Sequence, residues 1–238
     1  MEKHIFPYSP EALTAWIAVT RYPCRMTQLD VSLTDYGLAF ECMYFVYRII
    51  HFPGPSALRR TFAVFFLSIA LAAAAGGTVH GFFLDKNSLW FRVLWPLTLI
   101  AIGITALSGI HIGTVLQFSR SAASVIDRIG LAIFFAYILT VLFIRRDFLI
   151  AILDYLPALL FLGVAFMRAF RRDKHPESLI GFFGICLMFV AAAAQQAQIG
   201  IHPLYFNHNA LYHLLQAIAL FMLFLAARES IKPAELIQ

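Results

Sequence analysis

Charge is scarce in this sequence. Asp, Glu, Lys and Arg make up 13% of its 238 residues, about half the share found in soluble domains. A water-soluble globule of this length is excluded, because it would lack the polar side chains to cover its own surface. Cysteine is also rare. Cys24, Cys42 and Cys186 form an odd set at no metal-binding spacing, which excludes a disulfide framework and leaves them as buried fillers. The last apolar stretch contains no Lys, so no retinal Schiff base can form there. No cleaved leader is expected either: Pro7, Pro10 and Pro23 surround the short apolar run Ala15–Val19.

What is abundant is apolar. Hydrophobic residues make up 61% of the chain, Phe alone numbering 24, and they fall in blocks of about 20, the length that crosses a bilayer core of roughly 30 Å. The pattern predicts an all-α polytopic membrane protein with seven transmembrane helices, near 32–52, 61–83, 91–116, 127–145, 148–169, 177–199 and 207–227. The first is the least apolar, since it carries Asp35, Glu41 and Arg48. The organisation expected is an N-terminal interfacial segment over 1–31, a seven-helix domain over 32–228 and a tail over 229–238. Ser9-Pro10-Glu11 reads as a helix start, Ser9 capping and Pro10 in the first turn, and the helix to Ala18 with Trp16 suits the membrane interface.

The net charge of +5 belongs to helix ends, so no nucleic-acid partner is expected. Arg48, Arg59, Arg60, Arg120, Arg128, Arg168, Arg171, Arg172, Lys174, Arg228 and Lys232 fall on one side of the membrane. Fewer basic residues fall on the other: Lys3, Arg21, Arg25, Lys86, Arg92, Arg145 and Arg146. The richer side is expected to be cytoplasmic, with the N-terminus outside and the C-terminus inside. Ala72–Gly77 and Ala191–Ala194 supply small residues that let helices approach closely.

Ionisable groups inside a bilayer are costly and call for a partner or a function. With alternating spans, Asp35, His80, Asp85, Asp154, Gln195, Gln196, Gln198, His208 and His213 all fall toward the N-terminal face. That convergence suits a site built among helices. His80, His208 and His213 are candidate ligands of zinc, which takes imidazole readily and can activate a bound water. Against this, five residues separate His208 from His213, about 140° around an ideal helix; an i, i+4 pair would share a face, and the residue at that place is Asn209. An irregular helix start would bring His208 round, and His202 in the preceding loop is a substitute. A metal-free network of His, Asp and Gln, structural or bound to a lipid headgroup, fits the same residues. His111 falls toward the opposite face. Asp154 has Arg145 and Arg146 as candidate partners, and Glu41 a neighbouring helix.

Seven spans, Gly77-Thr78-Val79-His80-Gly81 closing the second and a His-containing start to the seventh together resemble the alkaline-ceramidase, adiponectin-receptor and hemolysin-III superfamily. The resemblance covers most of the chain in architecture and two short motifs in residues. It implies an intramembrane zinc held by three histidines and hydrolysis of a lipid amide or ester. His80 would match the ligand of the second helix and His213 one ligand of the seventh. The sequence departs from the pattern where Asn209 replaces the first His of His-x-x-x-His and Gly76 replaces a Ser. On this reading Asp85 or Asp35 would handle the proton of the bound water, Thr78 or a Gln would stabilise the oxyanion, and membrane lipids would be the substrates. The alternative is a non-enzymatic membrane binding or sensor protein.

Overall fold

A computed structural model describes residues 28–53, 56–202 and 205–231. The expectations for Ser9–Ala18, Cys24 and Lys232, and for most of the tail, lie outside these residues. The described part holds seven long helices: α1 (Leu29–Ile50), α2 (Ser56–Phe82), α3 (Leu89–Gln117), α4 (Arg120–Leu139), α5 (Phe148–Asp173), α6 (Pro176–Gln196) and α7 (His208–Ile231). A π-helical turn, Thr140–Ile144, continues α4. Six of the helices, α2 to α7, are long and apolar enough to cross a membrane. The first, with its three charged side chains past the first turn, falls outside that set, although it packs against α2 and α7.

The packing order explains where space is left inside. Helix α1 contacts α2, α2 contacts α3, α3 contacts α5, α5 contacts α6, α6 contacts α7, and α7 returns to α1. These six close a ring. Helix α4 stands outside it, packed chiefly on α3, with little of it buried. Its outward residues, among them Ile133, Phe135 and Phe143, are large and apolar, as a surface in contact with lipid tails would be. The main core lies in the half of the ring away from the N-terminal face. There Phe45, Phe65, Phe66 and Phe224 pack together, with Phe45 stacked on Phe224 at 4.4 Å between centroids.

The expected boundaries match the helices to within a few residues except at α4, which starts at Arg120 rather than 127. The first two turns, Arg120–Asp127, are polar enough to look like loop. They are helical because Asp127 turns toward α3, where its Oδ2 meets His111 Nδ1 at 2.8 Å and its Oδ1 accepts from Thr114 Oγ1 at 3.0 Å. Local side-chain caps fix two other helix starts. Ser88 accepts from the Phe91 N–H at the start of α3, and the Asn207 side chain accepts from the Asn209 and Ala210 N–H groups at the start of α7. Pro96 and Pro157 both sit inside helices, α3 and α5.

Candidate functional site

The ring surrounds a half-open cavity of about 540 Å³ lined by all six of its helices and by no residue of α4. Each helix contributes one stripe at helical spacing. On α7 the stripe is Asn209, Tyr212, His213, Gln216 and Leu220, which is the i, i+3, i+4, i+7 recurrence of one helix face. On α3 it is Trp95, Thr98, Ile102 and Thr105.

The small residues make the room. Ala72, Ala73 and Gly76 of α2 and Ala192 and Ala193 of α6 all line the cavity, so these runs open space as well as allowing close helix contacts. Gly77, one residue on, has the packing role expected: Ser32 Oγ of α1 donates to its carbonyl oxygen at 3.0 Å.

The cavity is polar toward one end and apolar toward the other. His80, Gln195, Gln196, Asn209 and His213 lie within about two turns of the helix ends at the N-terminal face, and Asp35 about 9 Å along α1. Leu38, Ile69, Leu159, Met188 and Leu220 line the deeper part, up to about 20 Å from those ends along their helices. Gln216 and Thr105 are polar groups on the apolar stretch, and Thr105 Oγ1 lies 2.8 Å from Ser68 Oγ.

At the polar end the side chains hold one another. His213 Nε2 lies 3.2 Å from Asp35 Oδ1, and its other nitrogen, Nδ1, lies 3.2 Å from Thr34 Oγ1. His80 Nδ1 lies 2.8 Å from Gln28 Oε1. Gln195 Nε2 donates to Asn209 Oδ1 at 3.0 Å, joining α6 to α7. Asp35 is 4% exposed, and its second oxygen, Oδ2, has no hydrogen-bond partner.

Of the six residues read as zinc ligands or catalytic groups, Asp35, His80 and His213 meet at this cavity, and the other three lie off its wall. His208 opens α7 and is absent from the lining, because the helix begins regularly there and five residues turn it about 140° away from His213. Asn209, at i−4 from His213, occupies the cavity position instead. Asp85 is an exposed loop residue whose Oδ1 accepts from the Asn87 N–H at 2.9 Å. Thr78 Oγ1 donates to the Ala74 carbonyl and lies 2.9 Å from Tyr36 OH, joining α2 to α1. His202 is exposed, and its Nδ1 accepts from the Tyr205 N–H.

The donor set does not fit a three-ligand zinc site in this arrangement. Both ring nitrogens of His213 face side chains of α1, and His80, His208, His213 and Asp35 supply no three ligand atoms within reach of one ion. Among the described residues, the group that does is His175, Glu177 and Glu229, whose ligand atoms lie within 4.8 Å of one another. These sit at the start of α6 and the end of α7, on the opposite face.

Sequence reasoning missed Gln28, Thr34, Trp95, Tyr155, Tyr212 and Gln216 as parts of this region. The stripe spacing on α3 and α7 was the signal available for Trp95, Tyr212 and Gln216. It also paired Asp154 with an arginine, whereas Arg145 is held by Asp147 at 2.8 Å and Asp154 Oδ2 is buried without a partner. Glu41 Oε2 is likewise unpartnered.

A family model described as "Family of unknown function (DUF6962)" matches residues 31–232. No curated protein and no solved structure matches the chain.

Proposed function

With a match that spans nearly every described helix, the chain belongs to this family of unknown function, and we propose that it is a seven-span membrane protein that binds an amphiphilic lipid in the interhelical cavity. In this reading α1 crosses the bilayer with the other six, its Asp35 tolerated because it turns inward, away from lipid. The N-terminus is outside and the C-terminus cytoplasmic, as the basic residues suggest.

The observation that carries the proposal is the division of one cavity into a polar end and an apolar interior. Its volume of about 540 Å³ falls in the range of pockets that hold small ligands, roughly 300–1,000 Å³. The headgroup would sit among Asp35, His80, His213 and Asn209, and the chain would run toward Leu159 and Leu220. Native mass spectrometry in a nonionic detergent tests this with dodecanol as the probe. A saturable one-to-one adduct that is lost in Ala73→Phe and in Ala192→Phe, both of which keep their folded charge-state distribution, supports the proposal. An adduct that survives both fillings places the amphiphile elsewhere and defeats it.

A second reading is hydrolysis of the bound lipid by a metal-dependent mechanism, favoured by the convergence of two histidines and an aspartate on one cavity and by the resemblance to the alkaline-ceramidase superfamily. It requires the His213 side chain to leave Thr34 and Asp35, so no step is drawn through a metal. Elemental analysis separates the readings. About one zinc per chain, lost in His80→Ala with His213→Ala and retained in Glu177→Ala with Glu229→Ala, favours hydrolysis.

A further inference from the structure

The unpartnered oxygen of Asp35 narrows what the cavity can hold. The carboxyl group is almost fully enclosed, its Oδ1 is engaged by His213, and its Oδ2 meets no donor. A buried polar atom without a partner is costly, more so when it is ionised. Asp35 lines the cavity, and among the described residues no Lys or Arg side chain lines it with Asp35. The described residues therefore bring an acceptor to this end and no Lys or Arg to balance it.

We propose that the ligand's head is a protonated amine, seated on Asp35 Oδ2, at the polar end of the cavity. The inference rests on the cavity being a ligand site. An ammonium group supplies both missing quantities, a donor for Oδ2 and a positive charge. The assignment takes Asp35 as ionised beside a neutral imidazole: the His213 Nε2–H then donates to Oδ1, and Oδ2 is left open with its charge unbalanced. Trp95, Tyr155 and Tyr212 line the same cavity, and aromatic faces attract a cation further once water is excluded. An anionic head would place a second acceptor against Oδ2, with no Lys or Arg among the described residues of the wall to offset it. A neutral alcohol would donate one hydrogen bond without charge.

The test uses three probes that share one chain: dodecylamine, dodecanol and dodecanoate. Each is titrated against the full-length protein in nonionic micelles at neutral pH and read by native mass spectrometry. The expected result is dodecylamine binding tighter than dodecanol by about tenfold or more, the equivalent of one charge-assisted contact, with dodecanoate weakest. Asp35→Asn closes the gap between amine and alcohol, whereas Asp35→Glu, which keeps the charge, preserves it. The wild-type series decides the matter even if either variant folds poorly. Equal binding of amine and alcohol to the wild type overturns the head assignment and leaves the cavity reading standing. Binding of none of the three overturns both.

Discussion

Gly77 and Asp35 face each other with no room for a methyl group between them: a Cβ on Gly77 would lie 2.7 Å from the Asp35 Cβ. The contact presses α1 onto α2 where the Asp35 carboxyl group enters the cavity. Gly77→Ala should therefore push α1 outward, at about 1–3 kcal/mol for a forced overpacking, and displace Asp35 from His213. The neighbouring Gly76 has ordinary room, its Cβ falling 3.7 Å from Thr98 Cγ2. Gly76→Ala should leave the midpoint of thermal unfolding nearly unchanged where Gly77→Ala lowers it. Equal effects at the two positions would refute the close approach.

A second prediction concerns α4. The helix sits outside the ring and is lightly buried, so the polar contacts of Asp127 with His111 and Thr114 carry a large share of its attachment at that face. Asp127→Asn should destabilise the protein by about 1–3 kcal/mol, the range for disturbing a charge-assisted hydrogen bond. Amphiphile binding should be unaffected, because no residue of α4 lines the cavity. Thermal unfolding in detergent and a dodecanol titration on the same sample check both halves.

The start of α7 supplies a third. Asn207 accepts two helix N–H groups through its side chain, and its own backbone N–H donates to Asp30 Oδ2 at 3.0 Å. Asn207→Ala should cost about 0.5–2 kcal/mol as a lost helix cap. Asn207→Asp, which keeps an acceptor for the helix, should recover part of that loss, although it faces Asp30. Because Asn209 and His213 begin the cavity wall two and six residues later, the alanine variant should also weaken amphiphile binding. Hydrogen exchange over residues 208–213 reads the fraying directly.

Much of the fold was legible because α2 to α7 are long apolar runs, and such runs have few alternatives in a bilayer. The polar starts of helices were less so: the first turns of α4 look like loop until Asp127 finds His111 on another helix. The site was legible in part. Counting alternating spans brought Asp35, His80 and His213 to one face without any contact being known. It also gathered in Asp85 and His208, since depth in the membrane says nothing of which way a side chain turns around its helix. The 140° between His208 and His213 carried that information, and the regular start of α7 made it decisive. The role of the alanine runs was hidden for a different reason: a small side chain reads the same whether the space beside it is filled by a neighbouring helix or left as a cavity.

The most direct test of a lipid-shaped cavity is photo-crosslinking with a dodecyl amphiphile that carries a diazirine at the end of its chain, followed by peptide mapping. The head is held at the N-terminal face in this account, so the reactive carbon should label the deep wall, at Leu38, Ile69, Leu159 or Leu220. Excess unlabelled amphiphile should compete the labelling away. Labelling confined to outward residues such as Phe40, Leu153 and Val190, and indifferent to competitor, would mean that the amphiphile only bathes the outside of the protein, and would contradict the account.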